Sequence, residues 1–300
     1  MIAISRHRKL RFSRLFKSRS PAFEGNFFFI LGSGRSGNTL VRKILMDNYE
    51  VYIPAETYKL AEALDSFDRS YFLDWPDRVR LVLSSFEYQK EFSTISRYGL
   101  FPVFQKCAVL PREERNFGKI ITCLWEYLAV NSGVSFTLFG DKTPYNMVSI
   151  NSISRAFPKG KYLFITRHPY DVCVSYVKMG RYASLDDAAH RWTLAHHNWQ
   201  RLLNRYPNLD HKLISYEELV RNPQEQTHGV AQWLGVDKRD IPLGADVFWG
   251  DIDVYDHISG VKSAISEQFI GKGAFVLTHS ERNRIRAVVG KQACEFGYDL

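Results

Sequence analysis

The sequence predicts a single α/β domain with a mainly parallel central sheet flanked by helices, and three observations carry that expectation. Four short runs, "NFFFIL" (26–31), "SFTLF" (135–139), "KYLFIT" (161–166) and "HKLISY" (211–216), have strand length and strongly apolar character. Segments of helical periodicity separate them. A glycine-rich turn joins the first run directly to a helical pattern, and strands alternating with helices imply parallel crossovers.

"NFFFIL" leads into glycines as a buried parallel strand does, and "TLVRKILMDN" then places apolar residues at 40, 41, 44 and 45, a helical stripe. Residues 60–135 read as mostly helical and aromatic-rich, punctuated by Pro and Gly. The segment 184–206 predicts a long helix. Ser184 and Asp187 have capping-box-like spacing, and Trp192, Ala195, Trp199, Leu202 and Leu203 form its apolar face. Pro223 opens a further helix that ends near Gly235. In such sheets ligands bind beyond the carboxyl ends of the strands, which is where the chemically notable residues cluster.

At 300 residues and 45% hydrophobic content the chain can bury one large core. Its formal net charge of +8 is unevenly placed. Residues 1–21 hold Arg6, Arg8, Lys9, Arg11, Arg14, Lys17 and Arg19 with no acid; taking those seven from 40 basic residues leaves 33 against 32 acidic ones. A nearly neutral body argues against nucleic acid as a partner. Residues 1–21 are expected to be a solvated, disordered tail on a domain spanning 22–300. The alternative is weak peripheral contact with anionic lipid through Leu10, Phe12, Leu15 and Phe16. Without an apolar run of signal or membrane-span length, the expected location is cytoplasmic. Cys107, Cys123, Cys173 and Cys294 lack metal or redox spacing and are expected as reduced, mostly buried thiols.

"ILGSGRSGNTL" (30–40) nearly spells a phosphate loop. Gly32 and Gly37 have the separation that G-x-x-x-x-G-K-[ST] requires, and Thr39 takes the hydroxyl position, but Asn38 stands where the lysine belongs. Arg35 is the nearest cation. Backbone N–H groups from Gly34 to Thr39, with the Ser36 and Thr39 hydroxyls, would converge on an anion at the helix N-terminus. A second element, "FITRHPYDVCVSY" (164–176), sets Arg167 at a strand end, Pro169 in a first helical turn and Ser175 eight residues after the arginine. That spacing can aim a guanidinium and a hydroxyl at one anion.

Together these elements resemble the cytosolic and bacterial sulfotransferase superfamily, which uses 3′-phosphoadenosine 5′-phosphosulfate (PAPS). The family's 5′-phosphosulfate loop, "[KR]-S-G-T-T", appears as Arg35-Ser36-Gly37-Asn38-Thr39, and its 3′-phosphate pair as Arg167 and Ser175. "ISYEELVRNPQEQTHGVAQWLGV" (214–236) is similar to a third family segment and brings Tyr216 into the expected nucleotide site. Lys272, in "FIGKGAF" (269–275), falls where the family has a late basic loop. The resemblance implies a P-loop-like fold and a reason for the missing lysine, since PAPS has no β–γ anhydride and no bound Mg²⁺ for it to serve. It implies that Arg35 neutralises charge on the leaving phosphate. Asn38 departs from the usual Thr and removes one hydroxyl contact.

The acceptor hydroxyl must lose a proton, so a base is needed. The "K-T-H" histidine of many cytosolic members is absent, because "GDKTPYNM" (140–147) has Pro144 there. Protein-tyrosine and many bacterial relatives place a Glu 21 residues after the loop cation, which is Glu56 here. The resemblance therefore nominates Glu56 as base, with Lys142 as a second cation at the transferring group. The expected reaction is metal-independent transfer of sulfonate from PAPS to a hydroxyl on a carbohydrate, lipid or other small molecule. A P-loop kinase using Mg-ATP is the alternative, because "FTLFGD" mimics a strand ending in a metal-binding acid; Asp141 is expected instead to order the Lys142 loop. A catalytically dead adaptor on the same fold is the second alternative. His168, His196 and His197 lack a third partner at metal spacing and are expected to be structural.

Overall fold

The computed structural model describes residues 23–244, 246–254 and 265–300. The basic run 1–21 lies outside the described residues. From the amino end, β1 (Phe27–Gly32), α1 (Asn38–Asn48) and β2 (Val51–Tyr52) come first. A helical crossover follows, formed by α2 (Leu60–Arg69), α3 (Trp75–Glu87), α4 (Phe92–Ile95), α5 (Phe101–Ala108) and α6 (Phe117–Asn131). Then come β3 (Leu138–Lys142), α7 (Ile150–Ala156), β4 (Lys161–Thr166), α8 (Pro169–Lys178), α9 (Leu185–Arg205) and β5 (His211–Ser215). The last helices are α10 (Tyr216–Arg221), α11 (Pro223–Leu234), α12 (Asp251–Val254), α13 (Lys272–Val276) and α14 (His279–Glu295).

The strands form one five-stranded sheet in the order β2-β3-β1-β4-β5, every pairing parallel. This is the expected α/β architecture. Strand β1 lies at the centre and its side chains are buried on both faces, which is why its sequence is a continuous apolar run. Phe29 stacks on Tyr162 of β4 with centroids 5.2 Å apart, and Phe27 meets Trp125 of α6 edge-on at 5.8 Å. Each ring so buried contributes about 2 kcal/mol of transfer free energy.

Two strand expectations need correction. The second run was placed at 135–139, but β3 starts at Leu138 and continues through Gly140, Asp141 and Lys142. Register with β1, from Phe27 opposite Phe139 to Ile30 opposite Lys142, draws these polar residues into the sheet. Gly140 is needed there, because a Cβ would stand 2.4 Å from the Phe28 ring. The edge strand β2 was not expected at all; at two residues it is too short to carry a period. Helix α9 fits its pattern, with Ser184 accepting from the Asp187 N–H at 3.1 Å and Trp192, Ala195, Trp199 and Leu202 buried. Gly235 closes α11 in the left-handed region. Cys107, Cys123 and Cys173 are buried free thiols, and Cys294 is exposed.

Candidate active site at the carboxyl ends of the strands

The loop Ser33–Gly37 leaves β1 at its carboxyl end and turns into α1, with Arg35 (φ 66) and Gly37 (φ 97) both left-handed. Gly37 has a packing reason as well as a conformational one, because a Cβ would lie 2.6 Å from the Tyr216 ring. Asn38 is buried, and its amide donates to the Ser33 carbonyl at 2.8 Å, tying the two ends of the loop together. The residue in the lysine position thus braces the loop. Gly34 lies against the Tyr176 hydroxyl, which is 3.4 Å from Ser33 Oγ. The buried atoms Ser36 Oγ and Asn38 Oδ1 have no hydrogen-bond partner among the described residues.

Arg35 and Arg167 meet beside this loop. Arg35 Nε donates to Ser175 Oγ at 3.0 Å, and Arg167 donates to the Arg35 carbonyl at 3.2 Å. The Arg167 guanidinium lies 4.1 Å from the centroid of the Tyr216 ring, where cation and ring face attract. It also donates to the Phe269 carbonyl at 2.6 Å and stands 3.7 Å from Asp171, while its Nε lacks a partner among the described residues. Burial, and then the charge of Arg167, holds the Arg35 pKa below the usual guanidinium range. Asp171 accepts from the N–H groups of Gly271 and Gly273 at 2.9 and 2.6 Å, and so docks the late loop against Arg167. Lys272 lies on that loop, exposed, with its ammonium 4.6 Å from the Phe269 ring.

A second charged group sits at the ends of β3 and β2. Lys142 is fully buried and its ammonium donates to three oxygens: Glu56 Oε1 at 2.8 Å, Asp251 Oδ2 at 3.0 Å and Thr39 Oγ1 at 3.3 Å. Burial works to lower the Lys142 pKa, but the carboxylates of Asp251 and Glu56 outweigh it and raise it above its usual value. Glu56 is the partly exposed member, at 21% of its side chain. Asp251 is buried and also accepts from Arg42. Burial alone would raise its pKa, yet Arg42 and Lys142 hold it below the carboxylate range.

Asp141 orders its surroundings through its own bonds, accepting from Thr57 Oγ1 at 3.0 Å and Asn146 Nδ2 at 2.6 Å. Burial pushes its pKa up to about 6. His196 is buried between the Thr166 hydroxyl and the Trp192 carbonyl, each at 2.8 Å, and burial pulls its pKa down to about 3. His168 accepts from the Tyr170 N–H at 3.3 Å at the start of α8, and His197 is exposed. No group of three or more His, Cys, Asp or Glu among the described residues is placed to hold a metal ion. No helix among them is long and apolar enough to cross a membrane.

The fold therefore brings Gly34–Thr39, Arg167, Ser175 and Tyr216 to one end of the site, with the Lys272 loop docked beside them. Glu56 and Lys142 lie at the other end, joined to the loop through Thr39. Sequence reasoning missed Arg42, Tyr58, Asp171 and Asp251. Arg42 had a signal, a cation on the same helical stripe as Val41 and Leu45. Tyr58 holds a left-handed φ of 49 beside Glu56, and burial, then that carboxylate, pushes its phenol up.

A family model described as "Sulfotransferase family" matches residues 28–240. The sulfotransferase domain from the Synechococcus PCC 7002 olefin synthase is 18% identical, with 94% of this chain and 98% of that one covered and a TM-score of 0.57. The sulfotransferase domain from the curacin biosynthetic pathway is 20% identical, with 94% and 100% covered and a TM-score of 0.55. At these identities the two structures show a shared fold. A search of curated proteins gave no match.

Proposed function

This chain belongs to the sulfotransferase family, and from that premise we propose that it transfers sulfonate from PAPS to an acceptor hydroxyl by a metal-independent, in-line reaction with Glu56 as base. One observation carries the reading: at one end of the phosphate loop Arg35 bonds Ser175 and Arg167 bonds the Arg35 carbonyl, while Lys142 joins Thr39 to Glu56 at the other. The residues fit a bisphosphorylated nucleotide. Buried polar atoms of Ser36, Asn38 and Arg167 have hydrogen-bonding capacity unused among the described residues, and a buried polar group without a partner costs about 1–3 kcal/mol.

PAPS supplies a sulfonate on a phosphosulfate anhydride and a bisphosphate leaving group. Arg167 and Ser175 hold the 3′-phosphate, with the Tyr216 ring packed against the guanidinium and Lys272 adding charge from the docked loop. The backbone from Gly34 to Thr39 and the hydroxyls of Ser36 and Thr39 receive the 5′-phosphate. Arg35 neutralises charge that develops there as the sulfur–oxygen bond breaks, the kind of preorganised stabilisation that contributes about 3 kcal/mol per donor in other enzymes. Glu56 takes the acceptor proton and Lys142 faces the transferring group. The acceptor is a hydroxyl of a carbohydrate, lipid or other small molecule. For a membrane-bound acceptor, the basic residues 1–21 would add weak contact with anionic lipid from a cytoplasmic location.

Thermal melting with nucleotides tests the donor assignment. Adenosine 3′,5′-bisphosphate in the presence of EDTA is expected to raise Tm, by the amount that mass action dictates. Stabilisation by Mg-ATP alone would overturn the reading in favour of a kinase. Labelled PAPS with a panel of acceptors then identifies the hydroxyl, and absence of transfer to every acceptor would favour a binding protein on the same fold.

A further inference from the structure

We infer that Asp251, on a segment far along the chain from the loop motifs, is a positioning residue that keeps Lys142 fixed and charged at the moment Glu56 becomes neutral. The inference rests on the roles proposed for Glu56 and Lys142. Three N–H bonds of one ammonium meet three oxygens, and two of these, on Thr39 and Glu56, belong to the reacting end of the site. Asp251 is the third, held 3.0 Å from Lys142 Nζ and away from solvent.

Asp251 is itself held on several sides. Its second oxygen accepts from Arg42 and from the Ile252 N–H at 3.0 Å. Arg42 is in turn fixed to the Ile53 carbonyl at 2.8 Å and the Trp249 carbonyl at 3.0 Å. The segment reaches this depth through Gly250, left-handed at φ 68, where a Cβ would stand 1.9 Å from the Thr94 carbonyl oxygen and 3.0 Å from Ala55. Ala55 is the neighbour of Glu56, so the approach is directed at the site.

Charge balance supplies the function. Before reaction, Arg42 and Lys142 face Asp251 and Glu56, and the four buried or half-buried charges cancel. When Glu56 takes the acceptor proton, one negative charge leaves the cluster. A fully buried ammonium without a counterion would lose its own proton or its place. Asp251 stays ionised throughout, because it touches no acceptor proton and is held between two cations. It therefore secures the Lys142 charge when the sulfonate is in transit.

The test compares Asp251→Asn and Asp251→Glu with the unaltered full-length chain, using labelled PAPS and the best acceptor found. Lys142 is faced by Glu56 from the β2–α2 loop, Asp251 from α12 and Arg42 from α1, with Asp141 next to it on β3. Loss of the Asp251 charge leaves Glu56 alone to offset burial and Arg42, and nothing once Glu56 is protonated. In Asp251→Asn we expect kcat to fall by about 10²-fold, with the KM of PAPS within about threefold. The alkaline limb of kcat should move down by about one pH unit or more. Asp251→Glu should keep the alkaline limb while losing kcat through displacement, and it serves if the Asn variant does not fold. An unmoved alkaline limb in Asp251→Asn, a rise in KM at constant kcat, or an alkaline limb that moves as far in Asp251→Glu as in Asp251→Asn would overturn the inference. The Lys142 side-chain resonance, titrated by ¹³Cε NMR, gives a readout independent of turnover. If the unaltered chain transfers no sulfonate, the function proposal fails; the Asp251 inference fails separately if Lys142 titrates alike with and without the carboxylate.

Discussion

At one end of the site Arg35 donates to Ser175 and Arg167 to the Arg35 carbonyl, and at the other Arg42 and Lys142 meet around Asp251. The two constructions share a plan, a pair of neighbouring cations held by oxygen acceptors, and differ in whether the acceptors are neutral or charged. A hydroxyl leaves the guanidinium pair largely uncompensated, with Asp171 the nearest carboxylate at 3.7 Å from Arg167. That end is suited to an anion arriving from outside. A carboxylate closes the second pair, and Glu56 completes its balance from the half-exposed side. This end is suited to taking up a proton at Glu56 while a second carboxylate stays beside the buried ammonium. The lesson is that cation count alone does not mark an anion site; what stands between the cations does.

Glu56→Gln should separate the ends most sharply. Turnover is expected to fall by about 10²–10⁴-fold, while adenosine 3′,5′-bisphosphate still raises Tm as in the unaltered chain; near-normal turnover removes Glu56 from the mechanism. Arg167→Ala is the converse experiment. Calorimetric titration should show affinity for adenosine 3′,5′-bisphosphate reduced by about 10²-fold, as for loss of a charge-assisted contact worth about 3 kcal/mol, with adenosine 5′-phosphate much less affected. Equal losses for both nucleotides would place Arg167 away from the 3′-phosphate. Gly37→Ala should act more weakly on the same end. Forcing the Tyr216 ring aside and straining a left-handed position costs about 1–2 kcal/mol, so nucleotide affinity should drop about tenfold in the same titration.

A separate effect, on folding and not on turnover or binding, concerns His196, which lies beneath the anion-receiving end through its bond to Thr166. Its pKa is pulled down to about 3 in the fold from an ordinary 6.5. The unfolded chain therefore binds the extra proton between those values, so stability is present above pH 6.5 and is lost as pH falls toward 3. The loss is about 1.4 kcal/mol per pH unit for this proton. His196→Gln should flatten that part of the urea-midpoint profile between pH 4 and 6.5, and an unaltered slope would show that other groups set it.

The first end of the site was legible because its residues are local to two strand–turn–helix units. Gly34–Thr39 sit in one stretch, and Arg167 and Ser175 lie eight apart, so short-range geometry aims them. Tyr216 and Lys272, like Glu56 and Lys142 at the second end, came only with the family resemblance. The second end was legible in Glu56 and Lys142 but not in Asp251. Nothing local joins positions 142 and 251; the contact exists because Gly250 threads the chain past Thr94 and Ala55, a close approach that leaves no periodic trace. The displaced start of β3 has a related origin. Asp141 and Lys142 read as loop because they are charged, yet their partners at Thr57, Asn146, Glu56 and Asp251 allow them to finish a buried strand. The brace made by Asn38 was likewise invisible, since the sequence shows the residue that replaces a lysine and not the Ser33 carbonyl it binds.

The central position of β1 has a consequence for how the molecule comes into being. Its hydrogen-bonding neighbours are β3 and β4, the nearer of which begins about a hundred residues later. During synthesis at roughly 5–20 residues per second, the segment "FFFIL" waits several seconds with neither edge paired. Such a segment, short, aromatic, uncharged and free of proline, is the kind that sticks to its own copies. The strand that organises the finished sheet is thus an aggregation hazard in the nascent chain, and a point that a chaperone would shield.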